Sequence, residues 1–143
     1  MNLRTLITDN IAELLVKIIE FTQIRHKILT LNINNIHKPG FIPRDLAVYE
    51  FSSLLNIAIN EHTRNRRLVL CDTENIKFGA GGSFEVLPIV DKSAKELLEE
   101  NKNEYLEMQM NKLLKNSMNQ KVAAGLLRQK QKLTPIKVID RFY

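Results

Sequence analysis

From Ile7 onward the apolar positions fall alternately four and three residues apart: Ile7, Ile11, Leu14, Ile18, Phe21, then Arg25, Ile28, Asn32 and Asn35. That alternation is the seam of an amphipathic helix, and Leu15, Thr22, Leu29 and Ile36 widen it on one side. The spacing predicts a helix over residues 8–36. Asp9 or Asn10 stands near its start, where capping and anionic side chains are favoured. The seam is aliphatic and aromatic in its first half and turns polar at Arg25, Asn32 and Asn35. Polar residues at such positions lower stability and set register and partner. Arg25 either pairs with a carboxylate across an interface or lays its stem along the stripe with its head in water. Such a stripe needs a partner helix, in the same chain or another.

Pro39 cannot continue a helix and biases Lys38 away from helical geometry, and Gly40 takes positive φ at little cost. Pro39-Gly40 therefore suits the centre of a type II turn within a connection over 37–44. A short helix is expected over 45–61, started by Asp45 and carried by Leu46, Tyr49, Leu54 and Ile57. Residues 62–92 read as a loop and β middle. There Ile76-Lys77-Phe78 and Phe84-Glu85-Val86 are strand-like and flank Gly79-Ala80-Gly81-Gly82-Ser83, which is compatible with a small hairpin. Pro88 restricts its own strand to an edge. Ser93 and Glu96 have capping-box spacing before a long helix over 93–133, which Pro135 follows before a tail over 134–143. A seam on that helix runs through Leu106, Met110, Leu113, Ser117, Gln120, Ala124 and Leu127, with Leu114, Met118, Val122 and Leu126 along its flank. The fold class is mainly α: one domain over 1–143, with long N- and C-terminal amphipathic helices pairing as a coiled coil around a short helix and a small loop or β-hairpin middle.

Composition adds constraints. At 143 residues, 44% hydrophobic and 26% charged, the chain is not disordered in bulk, while 6% aromatic residues and no Trp lean against a large core of rings. Charge is segregated: Glu96, Glu99, Glu100, Glu104 and Glu107 sit early in the last helix, and between Met108 and Ile139 there are seven basic residues and no acidic one. That order matches the helix dipole. It also opens a reading as a basic coiled-coil module that binds nucleic acid. Against it, the basic residues do not share one face and no aromatic interleaves them for base stacking. A solvated face is the simpler account.

Catalytic and ligand chemistry is not signalled. Cys71 is the single cysteine, so no internal disulfide or cysteine cluster can form, and no partner base is identifiable for it. His26, His37 and His62 lack metal-ligand spacing. Gly79, Gly81 and Gly82 are followed by no Lys-Ser/Thr, and the dinucleotide pattern fails at Phe84. No catalytic, cofactor-binding or metal-binding residue is expected, and no cofactor. Asp9, Glu13, Lys17 and Glu20 interrupt the N-terminal apolar residues, so neither a cleavable signal peptide nor a membrane span is expected.

One stretch carries a family resemblance. Asn32-Ile33-x-Asn35-Ile36-x-x-Pro39-Gly40-Phe41 resembles the N-terminal signature of the bacterial flagellar axial proteins of rod, hook and hook junction. Leu31, Asn34 and Lys38 depart from it, as in a divergent member. Glu107-Met108-Gln109-Met110-x-x-Leu113-x-Lys115-Asn116-x-Met118 is similar to the closing helix of that family, and the position of Asn116 with the short length is most similar to its proximal rod type. The resemblance covers roughly 10–60 and 100–138 and leaves the middle untouched. It implies a structural subunit of the basal-body rod, exported by the flagellar type III apparatus without a cleaved signal. Such a subunit assembles through both terminal helices with itself, other rod subunits, the basal-body ring and the export apparatus, in the tube that crosses the periplasm. The expected interface residues are Ile11, Leu14, Ile18, Phe21, Ile28, Asn32, Ile33, Asn35, Pro39, Gly40, Phe41, Met110, Leu113, Asn116 and Met118.

Overall fold

The computed structural model describes residues 3–79 and 84–133. Its elements run α1 (Leu3–Asn34), β1 (Arg44–Asp45), α2 (Val48–Asn65), β2 (Ile76–Lys77), β3 (Glu85–Val86), β4 (Ile89–Val90), α3 (Lys92–Glu100) and α4 (Lys102–Leu133). The chain is mainly helical, with two short antiparallel ladders.

α1 begins earlier than its seam suggested. No breaker lies between Leu3 and Asp9, so the helix runs through Asp9 and Asn10 instead of starting there. Asn10 reaches the C-terminal end of α2, with Nδ2 3.5 Å from His62 Nδ1 and 3.4 Å from the Arg66 carbonyl. The other end of α1 tightens: Ile36 N–H bonds to the Ile33 carbonyl at 3.3 Å and Lys38 N–H to that of Asn35 at 3.0 Å. The chain then turns over Pro39-Gly40. Phe41 N–H closes the turn on the Lys38 carbonyl at 3.2 Å, and Gly40 has φ +75°. This is the expected turn, in the positive-φ region that glycine tolerates best.

Asp45 does not start the short helix. It lies in β1, and α2 opens three residues later at Val48 and runs on to Asn65. The left-handed residue Arg66 ends it, with N–H to the His62 carbonyl at 3.0 Å. The predicted C-terminal helix is in fact two. Asn101, at φ −151° and ψ 100°, separates α3 from α4. Its side chain accepts from the N–H groups of Asn103 (3.1 Å) and Glu104 (3.2 Å), capping a new helix where the old one could have continued. Ser93 is no cap either. Asp91 takes that place, accepting from Ala94 N–H at 3.1 Å.

Strands β2 and β3 pair antiparallel as expected, Ile76 with Val86 and Lys77 with Glu85, while residues 80–83 of the glycine stretch lie outside the described residues. A second ladder has no local signature. Arg44 pairs with Val90 and Asp45 with Ile89, closing a long loop.

The long helices α1 and α4 pack antiparallel. Ala12, Leu15, Val16 and Ile19 meet Ala123 and Leu127 at one end. Toward the other end, Asn116 meets Thr22 and Gln109 meets Asn32. A second core covers another side of α1 with Phe21, Leu46, Phe51, Leu54, Ile76 and Phe78. Four phenylalanines, Phe21, Phe51, Phe78 and Phe84, gather there. Phe21 stacks on Phe51 at 4.0 Å between centroids, and Phe84 lies 5.4 Å from Phe78. α1 is thus buried on more than one side, down to Lys17, which is 2% exposed. Its ammonium lies near Glu13 (3.6 Å) and Glu20 (3.7 Å) and over the Phe84 ring (5.3 Å). No helix among the described residues is long and apolar enough to cross a membrane.

Candidate functional site: the polar junction of the terminal helices

The motif-bearing end of α1 lies against the first half of α4, and polar side chains make the contact. Asn32 is 1% exposed. Its Nδ2 donates to the Arg44 carbonyl (2.7 Å) and to Gln109 Oε1 (3.0 Å), while Oδ1 accepts from Arg44 N–H (3.2 Å). A side-chain amide thus pairs both backbone groups of Arg44 and fixes β1 on α1. Tyr105 Oη donates to the Asn32 carbonyl at 2.9 Å, satisfying a group that the end of α1 leaves unpaired. Burial, with Asp91 adding its charge, pushes the Tyr105 hydroxyl up to about 12, so it stays a donor. Asn116, also 1% exposed, donates to the Thr22 carbonyl at 2.8 Å.

Beside this amide set runs a chain of ions. Arg25 holds Asp45 in a two-pronged contact, Nε–Oδ1 2.9 Å and Nη2–Oδ2 3.0 Å. Lys112 reaches Asp45 Oδ2 at 3.0 Å and Asp91 Oδ2 at 2.6 Å. The chain links α1, β1, α4 and the cap of α3. Burial pushes the Asp45 carboxyl up, but the hydrogen bonds and charges of Arg25 and Lys112 outweigh it and hold the group below the usual carboxylate value. Burial pulls Lys112 down, and the two aspartates more than compensate. Arg25 therefore pairs inside its own chain.

The expected interface residues fall in different places. Leu14 and Phe21 are core, and Ile11, Ile18 and Ile28 are half-buried against the two apolar clusters. Asn32 and Asn116 belong to the junction. Asn35, half-buried, donates to the Leu31 carbonyl at 2.8 Å and finishes α1. Ile33, Phe41 and Leu113 are partly buried, and Pro39 and Gly40 are exposed. Met110 and Met118, each 57% exposed, face away from α1, contrary to the seam drawn through Leu106, Met110 and Leu113. The side of α4 turned to α1 keeps Gln120 and Leu127 of that seam and otherwise lies one residue over, at Tyr105, Gln109, Lys112, Asn116 and Ala123. Asp45, Asp91, Tyr105, Gln109 and Lys112 were missed as site residues. The four-three-four spacing of Tyr105, Gln109, Lys112 and Asn116 was the available signal, hidden because those residues are polar.

Several concavities flank α4. One is an open cleft of about 800 Å³ against α1, lined by His26, Lys27, Lys121 and Arg128 with amides between them. Another, about 830 Å³, opens over the ion chain of Arg25, Asp45, Asp91 and Lys112. A smaller one, about 310 Å³, is an apolar groove toward α2, with Ile18, Phe21, Leu55, Val122 and Leu126 on its walls. Among the described residues no group of three or more His, Cys, Asp or Glu side chains is placed to hold a metal ion. Cys71 is exposed. No family model, curated protein or solved structure matches the chain.

Proposed function

We propose that this chain is a structural subunit of the bacterial flagellar basal-body rod, working by helix packing without catalysis or a cofactor. One observation carries the reading. The two stretches that resemble the axial family lie far apart in sequence, yet Asn32 of the first bonds Gln109 of the second, and Asn116 of the second bonds the carbonyl of Thr22 in α1. A motif shared by both ends of a chain is explained if its residues join those ends into one building block. In this reading α1 and α4 pair as a coiled coil. The subunit is exported without a cleaved signal, and it assembles with itself, other rod subunits, the basal-body ring and the export apparatus around the periplasmic axis.

The test is co-assembly. Mixed with other rod subunits, the chain is expected to enter rod-like particles, and Gly40→Val is expected to block entry more than it lowers helix content. A chain that stays out of such particles at every ratio refutes the reading. The cleft lined by His26, Lys27, Lys121 and Arg128 favours a second reading, a basic module for nucleic acid. Affinity that falls steeply with salt supports it. Absence of binding at low salt removes it.

A further inference from the structure

The outward side of α4 repeats the spacing of its inward side. Inward, the residues are Tyr105, Gln109, Lys112, Asn116, Gln120, Ala123, Leu127 and Lys130. Two positions on, hence about 200° round the helix, stand Glu107, Asn111, Leu114, Met118, Val122, Gly125, Gln129 and Lys132. The middle of this outer seam is apolar and in water: Leu114 is 61% exposed, Met118 57% and Val122 62%. Met110 and Leu126 extend the row at its two ends, and Val122 and Leu126 also wall the apolar groove toward α2. Large exposed apolar side chains recurring every fourth residue along a helix mark a contact surface.

Gly125 supplies a second observation. Glycine inside a helix costs about 1 kcal/mol relative to alanine. A Cβ built at Gly125 would meet nothing within 4 Å in its own chain, so internal packing does not call for the glycine. A missing side chain on an outward seam leaves a hole for an incoming one.

The order of the seam identifies what fills it. Laid antiparallel on a second copy, centred between Met118 and Val122, it is self-complementary. Glu107 faces Lys132, Asn111 faces Gln129, Leu114 faces the gap at Gly125, and Met118 faces Val122. Opposite charges, paired amides and a knob over a hole occur twice each, as a two-fold interface requires. Laid parallel, Glu107 would face Glu107, Lys132 would face Lys132, and two glycines would leave a void. We propose that two copies of this chain associate antiparallel through this outer face of α4. The inference stands apart from the rod reading, since an axial subunit or a nucleic-acid module could equally carry such a face.

Cross-linking tests both partner and direction. Asn111→Cys and Gln129→Cys, each made with Cys71→Ser, lie on the polar flanks of the seam and leave its apolar centre intact. Treated with a short bismaleimide, each alone is expected to stay uncoupled, while an equal mixture couples. Coupling of each variant with itself would show a parallel pair and overturn the proposal. A full-length chain that sediments as a monomer at roughly 100 μM would also overturn it and leave the face to a different protein. Gly125→Ala separates a binding role from a folding one. It is expected to raise the melting temperature of the dilute monomer and to weaken self-association roughly tenfold. An alanine variant that associates as well as the parent removes the knob-and-hole contact on which the antiparallel register rests, and so overturns the proposal.

Discussion

The two sides of α4 are inverted relative to an ordinary surface helix. Over its first half the side against α1 carries Tyr105, Gln109, Lys112 and Asn116, of which three are 1% exposed or less. The side facing water carries Leu114, Met118 and Val122, all more than half exposed. Polar side chains can be buried when they find partners, and here α1 and β1 supply them: the carbonyls of Thr22 and Asn32, Asn32 itself, and Asp45, with Gln109 Nε2 left buried without one. The apolar side has no comparable cover within the described chain. The inward side is thus held by specific polar contacts over the first half of α4 and by the Ala123 and Leu127 core beyond it, while the other side is free for association. Mutations on the two sides should differ in kind.

The largest effect is expected at Asp45. Asp45→Asn leaves Arg25 without its carboxylate and Lys112 with Asp91 alone, and should destabilise the fold by about 2–4 kcal/mol in urea unfolding. The same carboxylate sets an acid dependence. Because its folded pKa lies below the ordinary 3.8, its contribution is complete above that value and lost as pH falls through the folded one. The parent's urea midpoint should therefore drop in that window, and that of the variant should drop less. An equal drop would place the acid sensitivity elsewhere.

Asn32→Ala comes next. It strands the N–H and carbonyl of Arg44 and removes the partner of Gln109, at a cost of about 2–3 kcal/mol. A smaller loss would mean that water replaces the amide and that the junction is less enclosed than its contacts indicate. Gly40→Val should cost about 1–2 kcal/mol, read as a lower melting temperature. The space around a new Cβ is open, so the penalty is that of φ +75° alone. At the small end, Leu114→Ser should change the stability of the dilute chain by no more than about 0.5 kcal/mol, while weakening association. A large loss of monomer stability would show that this row is covered from within the chain and would break the contrast between the two sides.

Much of this was legible in the residues themselves. The α1 seam runs through Leu14, Ile18, Phe21 and Ile28 as its period implies, and its polar end at Asn32 was visible. Pro39-Gly40 announced the turn, and the glycines between Phe78 and Phe84 announced the hairpin. Three features were not legible. Asn101 interrupts a helix because its side chain competes for N–H groups, a competition that composition alone leaves undecided. Asp45 looked like a helix start because acidic residues favour that place, yet Arg25 and Lys112 hold it in β1. The strand pairing of Arg44–Asp45 with Ile89–Val90 joins segments too distant for any local pattern to indicate.

What the sequence by itself determined is which stretches are helical and that the first long helix gives way to a turn at Pro39-Gly40, because period and turn chemistry are local. Which side of α4 faces inward was decided only by tertiary structure. Both sides of that helix carry the same four-three spacing, so period does not choose between them, and over the first half of the helix hydrophobicity points away from the polar side that is buried. The choice follows from what the facing surface offers. The end of α1 presents an amide, unpaired carbonyls and, through β1, a carboxylate, and only the polar side of α4 can satisfy them.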